Sequence, residues 1–176
     1  MPSYEHLAAA VRDVPDFPKK GILFKDITTL ISKPDLFAEV IDIFYDHYKK
    51  GKIDKVVGIE ARGYLFASPL AYLLNAGLVP IRKPGKLPAE TVSVTYELEY
   101  GTDSVEMHKD AFVPGERVLL IDDLLATGGT AQATCRLLKQ QGAELGGVAF
   151  LVELDFLNGR EKLKDLEVDI FSIVHF

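Results

Sequence analysis

Short apolar runs alternate with helical patterns along most of the chain from residue 55 onward. Continuous apolar runs predict buried strands at 55–59, 79–82, 118–121, 147–152 and 169–173. Apolar residues at helical spacing predict helices near 63–75, 130–141 and 159–166. This alternation is typical of crossover units, so it predicts an α/β fold with a mostly parallel twisted sheet flanked by helices.

Two segments depart from the alternation. Residues 1–30 combine a short helical pattern near 4–11 with a loop through Pro15 and Pro18 that runs to Thr29, which predicts a small N-terminal hood. Ser32 can cap the next helix, with Pro34 in its first turn. Residues 91–107 alternate apolar and polar positions around a turn signal at 100–103, so we expect a partial hairpin over the carboxyl edge of the sheet.

The composition narrows the class of protein. A chain of 176 residues, 48% hydrophobic, is the size of a single domain with one substantial core. The net charge of -6 argues against a broad nucleic-acid-binding face. No apolar stretch approaches the roughly 20 residues that span a bilayer, and no signal sequence is evident, so we expect a cytoplasmic protein without membrane contact. The single cysteine and four histidines show no metal-ligand spacing, so no protein metal site is predicted.

Candidate chemistry is concentrated at residues 118–130, VLLIDDLLATGGT. An apolar strand leads into Asp122 and Asp123 and then into a glycine-bearing loop that opens a helix, an arrangement that directs backbone N–H groups at an anion. Neither a dinucleotide-binding nor a P-loop pattern is present. A carboxylate pair beside a phosphate loop suits a sugar phosphate or hydrated Mg²⁺; the alternative is an acidic loop that only caps the helix.

This segment resembles the phosphoribosyl pyrophosphate (PRPP) signature of type I phosphoribosyltransferases. Four further stretches, at 16–28, 58–71, 81–91 and 98–111, are similar to the adenine-specific members of that family in the same order. The resemblance implies the type I phosphoribosyltransferase fold in one domain, 1–176, with residues 84–106 as a flexible catalytic loop. It also implies a purine-salvage enzyme that converts adenine and PRPP into AMP and pyrophosphate.

The resemblance also assigns roles to individual residues. It implies a 5-phosphate loop at Ala126, Thr127, Gly128, Gly129 and Thr130. It implies that Asp122 and Asp123 hold the ribose hydroxyls, and that pyrophosphate is bound by Ala61 and Arg62, in a turn with a cis peptide, and by Lys83 and Lys86. Adenine would be bound by Leu23, Phe24, Lys25 and Leu124. Glu99 would accept a proton from the base, and Arg62 and Lys86 would assist catalysis.

Several alternatives stay open at this level. Arg62 can be a surface arginine, residues 82–86 a basic loop, Phe24 a core residue and Glu99 one of several solvated acids. Lys25 stands where arginine is common in the family. This replacement retains recognition by backbone groups but removes a bidentate contact to phosphate. The substrate can instead be a 6-oxopurine or xanthine, or the chain can be a non-catalytic regulatory sensor. We expect Mg²⁺ bound through PRPP, and a homodimer as is usual in the family.

Overall fold

A computed structural model describes residues 4–97 and 101–176 of the chain. Its strands are β1 (Arg12–Pro15), β2 (Leu23–Asp26), β3 (Lys55–Ile59), β4 (Gly77–Ile81), β5 (Thr91–Glu97), β6 (Thr102–His108), β7 (Arg117–Leu125), β8 (Glu144–Glu153) and β9 (Ile170–His175). Its α-helices are α1 (Glu5–Ala10), α2 (Thr28–Ile31), α3 (Pro34–Tyr48), α4 (Gly63–Leu74) and α5 (Gly129–Gln140). Two 3₁₀ segments follow, at Asp155–Leu157 and Gly159–Leu166. No helix in these described ranges is long and apolar enough to cross a membrane.

Five parallel strands form the central sheet in the order β4–β3–β7–β8–β9. Apolar side chains cover both of its faces. One core cluster contains Phe44 of α3 and Phe66 of α4, and the other contains Cys135 and Leu137 of α5. Strands of a sheet that is covered on both faces are typically continuous apolar runs, which is the pattern that the sequence shows. The predicted α/β fold with a parallel sheet is therefore confirmed.

Strand β7 extends further than predicted. The sequence places its end at Ile121, whereas the strand continues to Leu125, with Asp122 and Leu124 paired to Phe150 and Val152 of β8. The two aspartates therefore lie inside the carboxyl end of the strand and not in a turn after it. The extension was not predicted from local sequence because it is backbone pairing with β8 that keeps these polar residues in the strand.

The N-terminal segment contains more regular structure than the predicted loop. Strands β1 and β2 pair antiparallel and α2 follows directly, all upstream of residue 32. The predicted helix cap at Ser32 was wrong, because Lys33 is the N-cap residue of α3. Ser32 instead ends α2 and donates a hydrogen bond to the carbonyl of Thr29.

A β-hairpin stands apart from the central sheet. Strands β5 and β6 pair antiparallel from Thr91–His108 to Glu97–Thr102, and a single bridge between Arg82 and Glu106 joins the hairpin to the region after β4. The buried carboxylate of Glu106 accepts a hydrogen bond from the Gly85 N–H at 3.0 Å. The hairpin is thus fixed beside the basic segment that follows β4.

Candidate active site

Two adjoining cavities lie beyond the carboxyl ends of β3, β4 and β7, the edge at which open parallel sheets bind ligands. The larger, of about 210 Å³, is lined by Ile59, Glu60, Ala61, Arg62, Ile81, Arg82, Lys83, Val105, Asp122, Asp123, Leu124 and Thr130. The smaller, of about 80 Å³, is lined by Asp122 and by Leu124 to Ala131. Because Asp122, Leu124 and Thr130 line both cavities, one extended ligand can occupy the two together.

The smaller cavity has the features of an anion site. Helix α5 begins at Gly129, and its N-cap residue Gly128 has a φ of 77° and no side-chain cap from the described residues. The first N–H groups of the helix and its positive dipole end therefore face the loop.

A contact from a distant part of the chain supports this loop. A Cβ atom on Gly159 would lie 2.1 Å from the carbonyl oxygen of Ala126, so only glycine permits the 3₁₀ segment to pack there. The sequence contained no local signal for this role of Gly159, because the constraint comes from a partner far away in the chain.

The two aspartates form a compact, largely buried acidic pair. The Asp123 N–H donates to Asp122 Oδ1 at 2.9 Å, and Arg62 Nε lies 2.7 Å from Asp123 Oδ2. Burial raises the pKa of Asp122, and the charge of Asp123 raises it further. Burial also raises the pKa of Asp123, although Arg62 acts against that shift. Although Arg62 Nε is close to it, buried Asp123 Oδ2 accepts no hydrogen bond from the described residues, so a ribose hydroxyl can donate to it.

Basic side chains on the opposite wall are gathered by Glu60. Its carboxylate pairs with Lys86, lies 3.3 Å from Arg82 Nε and accepts the backbone N–H of Lys83 at 2.9 Å. The hydrogen bonds from Lys86 and from the Lys83 N–H lower the pKa of Glu60. The Glu60–Ala61 peptide is cis, as the resemblance implies for this turn.

The hairpin contributes side chains to the same region. Lys83 pairs with Asp103 of β6. The Tyr96 hydroxyl on β5 lies 3.1 Å from Asp103 Oδ2 and 3.0 Å from Thr130 Oγ1. The hairpin is therefore connected both to the basic side chains around Glu60, through Lys83, and to the loop at residues 126–130, through Thr130.

Phe24 lies next to the cavity through Arg62, whose guanidinium carbon is 5.2 Å from the ring centroid. Phe17 packs against Phe24 edge-on at 5.1 Å. Leu23 and Lys25 are two residues apart on β2, so their backbone polar groups point to the same side of the strand. Those backbone groups can form hydrogen bonds with the edge of a planar ring that lies near Phe24.

The Lys25 side chain is directed elsewhere. Its ammonium lies 2.7 Å from Asp13 and 3.7 Å from the ring centroid of Phe176. These partners hold the side chain mostly buried against the C-terminus, so it is not placed to contact a phosphate in this arrangement.

One further group of metal-ligand atoms lies at the ends of β8 and β9. Ligand atoms of Glu153, Asp155 and His175 lie within 4.8 Å of one another. Glu153 is already engaged by Arg160, at 2.5 Å, and by the Ser172 hydroxyl, at 2.6 Å. The sequence did not indicate this group, because its members are separated along the chain and meet only in the sheet.

Most of the predicted site residues come together in the two cavities. These are Ala61, Arg62, Lys83, Asp122, Asp123, Leu124, Ala126, Thr127, Gly128, Gly129 and Thr130. Lys86 adjoins them through Glu60, whereas Glu99 lies outside the described residues. The resemblance had placed Glu60 in the pyrophosphate turn, but its contacts with the basic residues were not predicted. Sequence reasoning missed Tyr96 and Asp103 as members of the site. Arg82 did carry a signal, as the first residue of the basic segment RKPGK.

Comparisons with known proteins agree with this architecture. Residues 26–176 match the model of the phosphoribosyl transferase domain family, so the chain is a transferase of that class. A curated relative from Acidobacterium capsulatum, named adenine phosphoribosyltransferase, is 59% identical over 172 residues, 98% of this chain and 94% of the relative. The chain thus belongs to the adenine phosphoribosyltransferase family.

Solved structures of this family superpose over almost the full chain. The crystal structure of adenine phosphoribosyltransferase from Thermoanaerobacter pseudethanolicus has a TM-score of 0.94 at 50% identity, covering 99% of this chain and 100% of that one. The Saccharomyces cerevisiae enzyme, complexed with an imino-altritol bisphosphate and adenine, has a TM-score of 0.90 at 43% identity, covering 96% of this chain and 97% of that one.

The raised pKa of Asp122 predicts how stability depends on pH. Between the ordinary carboxyl pKa of 3.8 and the raised folded value, the folded protein binds more protons than the unfolded chain. Its free energy of unfolding therefore falls as pH rises through that interval. The Asp122→Asn variant should lack this part of the decrease in the free energy of unfolding. It should therefore melt at the same temperature as wild type, or at a higher one, near neutral pH.

Thermal melts from about pH 4 to about pH 8 measure this difference in the ligand-free protein. Asp42→Asn, which removes an exposed carboxylate from α3, is the matched control for loss of one charge. An Asp122→Asn variant that melts lower than wild type near neutral pH, with an unchanged pH slope, would contradict the prediction.

Proposed function

We propose that the protein transfers the phosphoribosyl group of PRPP to adenine, giving AMP and pyrophosphate. The observation that carries this proposal is the joint cavity, in which a helix N-terminus, an aspartate pair and a basic wall line one continuous site. These three features match a 5-phosphate, a ribose and a pyrophosphate in that order. Family membership supports the choice of adenine over a 6-oxopurine or xanthine.

The 5-phosphate is bound by the loop Ala126–Thr127–Gly128–Gly129–Thr130. Backbone N–H groups and the Thr127 and Thr130 hydroxyls donate to it, with the dipole of α5 behind them. Asp122 and Asp123 then accept hydrogen bonds from the ribose hydroxyls. One of these hydroxyls supplies the hydrogen bond that buried Asp123 Oδ2 lacks.

Pyrophosphate is bound by the Ala61 backbone and by Arg62, Lys83 and Lys86. In the structure these three cations are paired with Asp123, Asp103 and Glu60. They exchange carboxylate partners for phosphate oxygens when PRPP binds. In the reaction the bond from C1 of the ribose to pyrophosphate breaks and a bond from C1 to a base nitrogen forms. Arg62 and Lys86 stabilise the negative charge that develops on the leaving group.

Adenine stacks between Phe24 and Leu124, with its edge read by backbone groups of Leu23 and Lys25. Arg62 now lies against the Phe24 ring, so it moves off that ring as it turns to the pyrophosphate. A single residue thereby frees the base site and completes the pyrophosphate site. Glu99 accepts the proton that the base loses, a role that rests on the family resemblance alone.

Mg²⁺ is expected with PRPP, and the charges of the cavity fit that expectation. Four basic side chains, Arg62, Arg82, Lys83 and Lys86, face four carboxylates, Glu60, Asp103, Asp122 and Asp123. The basic and acidic side chains of the whole site are therefore nearly equal in number before a polyanion enters. When bound, Mg²⁺ supplies positive charge to the phosphate oxygens; the oxygen atoms of the aspartates are of the kind it prefers.

A homodimer is also part of the proposal, as is a location in the cytoplasm. Large apolar side chains are exposed on α4 (Leu65, Leu73 and Tyr72, the last at 83%) and on the edge strand β4 (Leu78). Clustered exposed apolar side chains are typical of an interface. Because members of the family are usually homodimers, the proposed partner is a second copy of this chain.

The proposed function makes a prediction about the substrate and the metal. With PRPP and Mg²⁺, adenine should release pyrophosphate, whereas hypoxanthine, guanine and xanthine should release little. AMP formation should stop in EDTA, because the cations of the site are matched by its own carboxylates and cannot offset the charge of PRPP. A pyrophosphate-release assay measures all of these, and full activity in EDTA or a preference for an oxopurine would contradict the proposal.

A second prediction tests Glu99. General base assistance contributes about 10² to 10⁴ in rate, so Glu99→Leu should lower kcat by at least ~10²-fold and leave PRPP binding almost unchanged. Glu97→Leu is the control, because Glu97 is an exposed acid two residues before Glu99 in the sequence. If both variants stay within about threefold of wild type, or both fall equally, Glu99 is not the specific proton acceptor.

A further inference from the structure

A buried ion pair lies outside both cavities of the site. The Glu153 carboxylate, 4% exposed, accepts hydrogen bonds from Arg160 Nε at 2.9 Å and from Arg160 Nη2 at 2.5 Å. The Ser172 hydroxyl donates to the same carboxylate at 2.6 Å, and Arg160 Nη1 donates to the carbonyl of Ile170 at 2.8 Å. Neither Glu153 nor Arg160 is among the described residues that line the two cavities, so neither touches a ligand bound there.

The hydrogen bonds fix this pair in one arrangement. Burial acts to raise the pKa of Glu153, but the hydrogen bonds from Arg160 and Ser172 outweigh burial and lower the pKa, so the group is a charged carboxylate. An arginine that donates two parallel hydrogen bonds to a carboxylate is held in both position and orientation. Residue 160 is therefore held firmly at the carboxyl ends of β8 and β9.

The backbone on each side of the pair is connected to the loop at residues 126–130. Glu153 is the last residue of β8, and it pairs in the ladder with Leu125, the residue directly before the loop. The Leu154 N–H donates to the carbonyl of Leu125 at 2.9 Å. Arg160 directly follows Gly159, which packs against the loop. The ion pair thus joins the strand end where the loop begins to the segment that covers the loop.

Gly159 and the loop are in direct backbone contact. A Cβ atom on Gly128 would lie 2.3 Å from the carbonyl oxygen of Gly159, and one on Gly159 would lie 3.0 Å from the Gly128 nitrogen. Gly128 is also the N-cap residue of α5, next to the first N–H groups of the helix. The direction of those N–H groups therefore depends on where Gly159 is held.

We propose that Arg160 and Glu153 are positioning residues for the 5-phosphate: their ion pair holds Gly159 against the loop and thereby sets the direction of the loop's N–H groups. The proposal rests on the function proposed above. A hydrogen bond weakens steeply when its donor is turned away from the acceptor, so loss of the pair weakens binding of the 5-phosphate. The pyrophosphate end is formed by the turn after β3 and the segment after β4, so its affinity is retained.

The test measures the Kd of ribose 5-phosphate, and separately that of pyrophosphate with Mg²⁺, by calorimetry. Arg160→Met keeps the length of the side chain but removes the guanidinium. The Kd of ribose 5-phosphate should rise about ten- to hundredfold, which corresponds to one or two hydrogen bonds to a charged group. The Kd of pyrophosphate should stay within about twofold of wild type. The 3₁₀ segment keeps another attachment in this variant, because Gln132 Nε2 donates to the carbonyl of Lys162 at 2.6 Å.

Two further variants frame this result. Glu153→Gln keeps the shape of the side chain but removes its charge, and it should weaken ribose 5-phosphate binding in the same selective way by a smaller factor. Gly159→Ala places a Cβ atom against the carbonyl oxygen of Ala126, so it should produce the selective loss by displacing the loop directly.

Arg117→Met is the matched control. Arg117 pairs with Glu144 across the same two strands, β7 and β8, and its side chain is 37% exposed against 35% for Arg160. The two residues begin their strands, so this pair lies at the edge of the sheet opposite the loop. Both Kd values should equal those of wild type.

The remaining outcomes separate the positioning role from the proposed function. If wild type binds neither ligand, the proposed function fails and the positioning role fails with it. If wild type binds both and Arg160→Met keeps the wild-type Kd for ribose 5-phosphate, the function stands and the positioning role is wrong. Equal weakening of both ligands in Arg160→Met, or the same weakening in Arg117→Met, would show a general loss of stability and overturn the role as well. If thermal melts show that Arg160→Met does not fold, Glu153→Gln is judged by the same criteria.

Discussion

The parallel pairing of β3, β7 and β8 is the constraint on which the site depends. Because the three strands run in the same direction, the turn after β3 and the loop after β7 emerge at one edge of the sheet. Arg62 and Asp123 belong to different crossover units, yet their side chains meet at 2.7 Å. The helix N-terminus beyond β7 follows from the same geometry, since α5 must turn back from that edge to cover the sheet.

A site that binds a polyanion gathers positively charged side chains, and their charge must also be stabilised when no ligand is bound. Gathered cations repel one another and lose hydration, so a carboxylate near each of them stabilises the ligand-free state. Glu60, Asp103 and Asp123 act in this way. The same pairing weakens ligand binding, because every contact to phosphate must replace an internal one. If the protein has the proposed function, this exchange favours a ligand with several phosphates over one with a single phosphate.

The sequence predicted those parts of the structure that are governed by local pattern. Strand β3 has the predicted bounds because its apolar run is continuous. The strand, acids and glycine-bearing loop that opens α5 were predicted because they are adjacent in the chain. The strand position of Asp122, the close approach of Gly159 to the loop and the pairing of Lys83 with Asp103 could not be predicted. Each depends on a residue far away in sequence, and a single sequence carries no record of such contacts.

The most direct test of this account is a crystal structure of the protein with PRPP and Mg²⁺. The account predicts PRPP along the joint cavity, with its 5-phosphate at residues 126–130 and its pyrophosphate in contact with Arg62, Lys83 and Lys86. The pairs of these cations with Asp123, Asp103 and Glu60 should be broken, while the pairing of β7 with β8 is retained. PRPP bound elsewhere, or bound there with all three pairs intact, would contradict it.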